Sequence, residues 1–377
     1  MSARERRTAG CTRREFLTAA AAAAAGVATT GSLEAAGAQG GRHREVPWLD
    51  EVLKPPPGAP VGSLPPLLVD DQGRRIATLE DWHRRRAALE QTWREFLGGL
   101  EIDRGRPPVL DVLEEDAIGD VIRQLVRYDA EPGLATEAYL LAPRHRRGRL
   151  PGALVFHTTT PESIRQPAGL SDVAEKHFGL ALARRGFLAF CPRNFLWSET
   201  TRMAGQDETR RFKARHPRAL GMAKMLFDGQ VALDILAAHP DVDPTRLGCI
   251  GHSLGAKEAL YLAAFDPRIK AAVSSEGGIG TTMSNWDAEW YLGSDITQPG
   301  SAREHHELLA LIAPRPFLLV GGDSADGVVS WPFIDAALPV YRLYGTPTRI
   351  GLLNHGRGHV VPPDVMRRMI EWLETYV

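Results

Sequence analysis

The chain has 377 residues, enough for one large domain or two ordinary ones. Its 44% hydrophobic and 24% charged residues are those of a folded globular protein, which excludes a disordered or fibrous chain. Forty-five basic against 46 acidic residues leave a net charge of −1, so a nucleic-acid partner is not expected.

The N-terminus reads as an address. Thr12-Arg13-Arg14-Glu15-Phe16-Leu17 resembles the twin-arginine export motif, an alanine-rich run follows over 18–29, and Ala36-Gly37-Ala38 offers a small-residue cleavage site before Gln39. The run falls short of the roughly 20 strongly apolar residues of a membrane span. Residues 1–38 are therefore expected to be a signal handled by the twin-arginine translocase and then removed. The mature chain would be periplasmic or extracellular, with no stable membrane span. Cys11 would leave with the signal, while Cys191 and Cys249 lie in apolar strand-like runs and are read as buried free thiols. No metal-ligand spacing is present, and neither a metal nor an organic cofactor is expected.

Residues 39–118 read as an N-terminal extension. It opens with a Gly- and Pro-rich lead-in to Pro66, followed by one long helix over Thr78 to Leu97. Thr78 supplies the cap, Glu80 and Asp81 sit in the first turn, and Trp82, Leu89, Trp93, Phe96 and Leu97 recur at helical spacing.

From residue 119 to 377 strands and helices alternate. Strands are expected at Val121 to Tyr128, Glu137 to Ala142, Ala153 to Phe156, Phe187 to Phe190, Leu247 to Ile250, Ile269 to Ser274, Phe317 to Val320 and Arg349 to Leu353. Helices are expected around Ser171 to Arg185, Met222 to Ala238, Ser301 to Leu311, Phe333 to Tyr344 and Pro363 to Tyr376. Such units imply an α/β fold with a mostly parallel eight-stranded sheet and helices on both faces.

The stretch that carries chemistry is Gly251-His252-Ser253-Leu254-Gly255, with an apolar strand before it and a helix-forming run after it. Strand, G-x-S-x-G, helix is the context of a nucleophile elbow, where a sharp turn exposes the serine hydroxyl and the next helix aims its N-terminus at a developing oxyanion. Ser253 is thus the candidate nucleophile. A hydroxyl needs a base, and the loop after the last expected strand supplies His359, with His355 as the lesser candidate. For the acid, Asp326 in the loop after Val320 is preferred, Glu276 at the end of the sixth strand is its rival, and Asp323 comes third. The oxyanion hole is expected to combine the Leu254 amide with that of Thr158 or Thr159. His157 reads as a structural strand-end histidine.

With these residues in place, the region from Gly119 to Val377 resembles the α/β-hydrolase superfamily, in its secreted bacterial carbohydrate-esterase and dienelactone-hydrolase-like branch. The phrase Asp241-Val242-Asp243-Pro244-Thr245-Arg246-Leu247-Gly248 is similar to that group's entry to the elbow. The likeness to acetyl xylan esterases is general. A narrower one is to glucuronoyl esterases, which carry a lysine four residues after the nucleophile and a glutamate ending the next strand, here Lys257 and Glu276. Where that family has an arginine directly after the serine, this chain has Leu254. The resemblance implies an exported serine esterase acting through an acyl-enzyme on acetyl, or glucuronoyl, esters of plant polysaccharide. Lys257 and Trp286 are candidate substrate contacts, while Trp290, Tyr291 and Trp331 are weighed between rim and packing roles. The alternatives are a serine peptidase of the same fold, a small-molecule carboxylesterase or dienelactone-hydrolase-like enzyme, and a non-catalytic binder on the same scaffold.

Overall fold

A computed structural model describes residues 45–62, 64–298 and 303–377. The expected export signal lies outside them. Among the described residues, no helix is long and apolar enough to cross a membrane.

Two helices lead in: the short α1 (Leu49–Val52) and the long α2 (Leu79–Leu97). The Thr78 side chain accepts the Asp81 amide and caps α2, whose Trp82, Leu89, Trp93 and Leu97 are buried. This helix packs on the body of the protein: Trp93 Nε1 donates to Glu307 Oε2 at 2.6 Å, and Trp82 Nε1 to the Tyr344 hydroxyl at 3.1 Å.

Then follow β1 (Asp111–Ile118), β2 (Val121–Glu131), β3 (Leu134–Pro143), β4 (Leu150–Phe156), α3 (Phe178–Arg184) and β5 (Leu188–Pro192). A small hairpin, β6 (Trp197–Glu199) with β7 (Arg202–Met203), precedes α4 (Gly205–Arg215) and α5 (Gly221–Ala238). Next come β8 (Val242–His252), α6 (Leu254–Phe265), β9 (Ile269–Ser275), α7 (His306–Ile312), β10 (Phe317–Gly321), α8 (Trp331–Leu343), β11 (Ile350–Asn354) and α9 (Pro363–Tyr376).

The main sheet has nine strands in the order β1-β2-β3-β5-β4-β8-β9-β10-β11. β1, β2 and β3 run antiparallel, and β3 meets β5 antiparallel; from β5 to β11 every pairing is parallel. Helices α2, α5, α6, α7 and α8 cover one face with one hydrophobic core, and α1, α3 and α9 cover the other with a second. Three strands of the parallel core, β4, β5 and β10, are buried throughout, which is why their sequences are almost continuously apolar.

Three expectations change. The sheet begins at Asp111, so the boundary drawn between 118 and 119 cuts through the β1–β2 hairpin. β1 carries no strand signal in the sequence, because nearly all of it is exposed and D-V-L-E-E-D-A-I has no alternation. The main sheet has nine strands instead of the expected eight, the added one being β1 at its edge. The helix expected from Ser171 starts only at Phe178, because a 3-10 turn over Ala174–Lys176 precedes it. Cys191 and Cys249 are free and buried, and burial pushes both thiols up.

Candidate active site

The elbow forms where β8 ends. Its two glycines are required by contact. A Cβ on Gly251 would lie 2.1 Å from the Gly255 carbonyl carbon, and one on Gly255 would lie 2.4 Å from the Phe156 carbonyl oxygen. Between them Ser253 adopts φ 57°, ψ −115°, a conformation that side chains rarely take. Its amide donates to the Ser275 carbonyl at 2.8 Å, which ties the turn to the neighbouring strand. Ser253 is partly exposed and opens α6, while Leu254 is its first helical residue. The helix N-terminus therefore faces the space above the serine.

One residue beyond Ser275, Glu276 is also held at positive φ, 55°. Its side chain is buried, yet its carboxylate is fully supplied with donors. The Gly322 amide bonds Oε1, and Oε2 takes the Ala325 amide at 2.7 Å and the Asp326 amide at 3.4 Å. Oε2 also meets His359 Nδ1 at 3.2 Å. Backbone amides thus satisfy a buried charge that would otherwise be costly.

His359 reaches this carboxylate because two loops dock tightly. The His355 amide donates to Gly321 O at 2.8 Å, and the Gly358 amide to Gly322 O at 2.6 Å. A Cβ on Gly322 would lie 2.1 Å from the Gly358 carbonyl oxygen, so only glycine permits that approach. Beneath, the His252 ring lies 4.8 Å from the His359 ring, with its Nδ1 3.0 Å from the Ser275 hydroxyl. Burial lowers the His252 pKa well below the ordinary value, so the ring is a neutral wall for His359.

The preference for Asp326 as the ring's partner is corrected. Asp326 is buried, but its oxygens take the Gly278 and Ile279 amides at 2.8 Å each and the Ser330 hydroxyl at 2.9 Å. It braces the segment after β9, and burial raises its pKa. Asp323 shapes its own loop, accepting the Val328 amide and Asn354 Nδ2, both at 3.0 Å. His355 turns inward, its Nδ1 accepting the Arg357 amide at 3.2 Å.

Thr158 is corrected as an oxyanion donor. Its amide and hydroxyl both point to Gln166 Oε1, at 3.3 and 2.9 Å, in a buried position. Thr159, the other candidate, is exposed at the start of the loop. His157 is structural: Nδ1 bonds Thr158 O at 2.7 Å, Nε2 accepts the Asn194 amide at 3.1 Å, and burial holds its pKa at about 4.

Lys257 and Trp286, the candidate substrate contacts, are packed inward. Both are buried, at 3% and 1% exposure. Lys257 Nζ sits 3.9 Å from the Trp286 ring centroid and 4.9 Å from that of Tyr291, and donates to the Ser284 hydroxyl at 2.9 Å. Burial brings its pKa down to about 7, with Asp326 opposing the shift. Trp286 Nε1 donates to Gly278 O at 2.7 Å, and its ring packs 4.4 Å from that of His305. Tyr291 and Trp331 are buried as well, and Trp290 is half-buried. The aromatic cluster read from the sequence is a packed base beneath the rim. Among the described residues, no group of His, Cys, Asp and Glu is arranged to hold a metal ion.

A largely parallel sheet with a strained serine between the end of β8 and a helix N-terminus defines an α/β-hydrolase fold. Residues 136–291 match the dienelactone hydrolase family. It is 26% identical over 281 residues to YtaP of Bacillus subtilis (strain 168), a protein whose name describes a hydrolase, covering 69% of this chain and 89% of that one. Among solved structures, the glucuronoyl esterase from Solibacter usitatus is similar with a TM-score of 0.67 at 16% identity, over 84% of this chain and 99% of that chain. A Bacteroides fragilis protein provisionally named an acetyl xylan esterase is similar with a TM-score of 0.58 at 15% identity, over 80% and 81%. At such identities the two structural likenesses speak to the fold.

Proposed function

We propose that the protein is an exported serine esterase that hydrolyses carboxylic esters through an acyl-enzyme. The observation that carries this reading is the buried Glu276 carboxylate 3.2 Å from His359 Nδ1, on the strand end beside the strained Ser253. A carboxylate on Nδ1 keeps the proton there and leaves Nε2 as the base for the serine hydroxyl. Ser253 Oγ attacks the ester carbonyl as His359 takes its proton. The Leu254 amide, with that of Thr159, stabilises the oxyanion. The imidazolium then protonates the leaving alcohol, and water reverses the sequence to release the acid.

The substrate class proposed is an ester on plant polysaccharide, acetyl before glucuronoyl. Leu254 adds no charge at the nucleophile, and Lys257 is committed to Trp286 and Ser284, which favours a small uncharged acyl group. Export is proposed from the twin-arginine stretch and places the enzyme in the periplasm or outside the cell.

The test is turnover of p-nitrophenyl acetate and of a peptide anilide, with fluorophosphonate labelling, by the native chain and by Ser253→Ala. Ester turnover and labelling that vanish in the variant are expected. Labelling with amide turnover alone would make it a peptidase, and neither activity would make it a binder.

A further inference from the structure

A cavity of about 210 Å³ opens past the carboxyl end of β5, the end of the parallel strands at which β8 leads into Ser253. Arg193, Phe195 and Trp197 line it just past the end of β5, a strand parallel to β4 and β8, and Lys224 comes from the first turns of α5. In the sheet β5 stands two strands from β8, or about 10 Å at the usual strand spacing. The cavity wall is joined to the loop after β4: Trp197 Nε1 donates to Thr160 O at 3.1 Å, and its ring meets the His157 ring edge-on at 4.7 Å.

Four cationic side chains line this space, Arg193, Arg211, Arg215 and Lys224, against the carboxylates of Glu208 and Asp228. Those two carboxylates are committed: Asp228 takes Lys224 Nζ at 2.5 Å, and Glu208 takes Arg211 Nη1 at 2.7 Å. Arg215 donates from Nη1 to the Arg211 carbonyl at 3.2 Å and reaches a carboxylate, Glu131, only at 3.4 Å, and Glu131 is engaged more closely by Lys224 at 2.8 Å and His216 at 3.1 Å. Arg193 is the least provided for. Its side chain is 9% exposed, yet its nearest acceptors are the Thr136 hydroxyl at 3.4 Å and Glu137 Oε2 at 3.7 Å. Glu137 is itself occupied, by Arg127 at 3.2 Å and by the Thr200 hydroxyl. A guanidinium so buried normally has a close, two-pronged partner. Burial lowers the Arg193 pKa, in keeping with a charge whose solvation has not been replaced.

We infer that this cavity is a carboxylate-binding subsite, with Arg193 and Arg215 receiving the carboxylate of an acidic sugar beside Phe195. A guanidinium offers the paired N–H geometry that a carboxylate matches, and an aromatic wall suits the apolar face of a sugar ring. The inference rests on the esterase reading only for its meaning: the polysaccharide would carry a uronate branch away from the ester that is cleaved.

Titration calorimetry on Ser253→Ala tests it with three ligands: a xylo-oligosaccharide carrying a glucuronic acid branch, the same oligosaccharide with that carboxyl reduced to the alcohol, and glucuronate alone. The acid form is expected to bind about tenfold or more tightly than the reduced form, the scale of a charge-assisted hydrogen bond. Arg193→Gln should abolish that preference and Arg193→Lys should recover part of it, since lysine keeps the charge but not the fork. Equal affinity for the two oligosaccharides, or a preference that survives Arg193→Gln, overturns the inference. Should Arg193→Gln not fold, the same comparison is read in Arg215→Gln. Glucuronate binding as tightly as the branched chain assigns the carboxylate site to a free acid; weaker binding assigns it to a chain-borne one. Turnover of p-nitrophenyl acetate by the native chain is measured alongside. Its absence sinks the esterase reading and leaves the binding result standing.

Discussion

Glu276 and His359 lie 83 residues apart in the chain, and their side chains meet at 3.2 Å. The carboxylate is buried, donors from the loop after β10 surround it, and the imidazole is 42% exposed above it. An anion fixed by backbone amides and a ring open to substrate are what a general base requires: one part holds its place while the other exchanges protons.

Replacement of Glu276 should therefore cost far more than replacement of Asp326. Glu276→Gln is expected to lower kcat on p-nitrophenyl acetate by about 10²- to 10⁴-fold, as loss of the orienting carboxylate does in a triad. Asp326→Asn should act mainly on stability, because it weakens the acceptors of Gly278 and Ile279. Steady-state kinetics on both variants decide it; an Asp326 defect in kcat as large as that of Glu276 would reverse the assignment.

Gly251→Ala and Gly255→Ala should each disturb folding, since the added carbon meets backbone atoms at 2.1 and 2.4 Å. A loss of about 2–3 kcal/mol or more is expected for each, the scale of overpacking against atoms that cannot rotate away. Urea unfolding measures it. Unchanged midpoints would mean that the elbow is looser than described.

Adjacent residues of α6 should give opposite slopes of stability with pH. Burial raises Glu258 to about 8 from 4.5, so its charged form is penalised in the folded state. Its contribution is present below about pH 4.5 and is lost as pH climbs through about 8. Burial lowers Lys257 to about 7 from 10.5, so here the folded chain sheds a proton that the unfolded chain keeps. That term makes stability rise between about pH 7 and 10.5. Glu258→Gln should flatten the fall and Lys257→Met the rise, each by about 1 kcal/mol or more across its window. Denaturant midpoints at pH 5, 7 and 9 read both, and unchanged profiles in the two variants would contradict the burial described.

Trp286→Phe should cost stability and leave recognition of a sugar ester nearly untouched. The change deletes the bond from Nε1 to Gly278 O at 2.7 Å, worth about 1–3 kcal/mol when its acceptor is left buried. KM for an acetylated xylo-oligosaccharide, measured with the unfolding midpoint, separates the two roles; a large rise in KM without loss of stability would restore Trp286 to the substrate surface.

The amino-acid sequence by itself determined the alternation of strands and helices, the elbow and the span of the last helix, because each is local. Gly251 and Gly255 flank a serine between an apolar strand and a helix former, and Pro363 opens a strongly amphipathic final helix. Only the tertiary structure decided which carboxylate faces His359. Asp326 and Glu276 are alike in type and both follow apolar strands, but their roles depend on how the loop at Gly322 docks on Gly358 across parallel neighbours. The same holds for Lys257 and Trp286. Helical spacing brings one to the face of α6 and composition marks the other as aromatic, yet their burial is set by a segment that folds back over the helix from beyond β9. Local pattern carries what the backbone does within a few residues; side-chain partnership across tens of residues is settled by packing, which no short window of the chain contains.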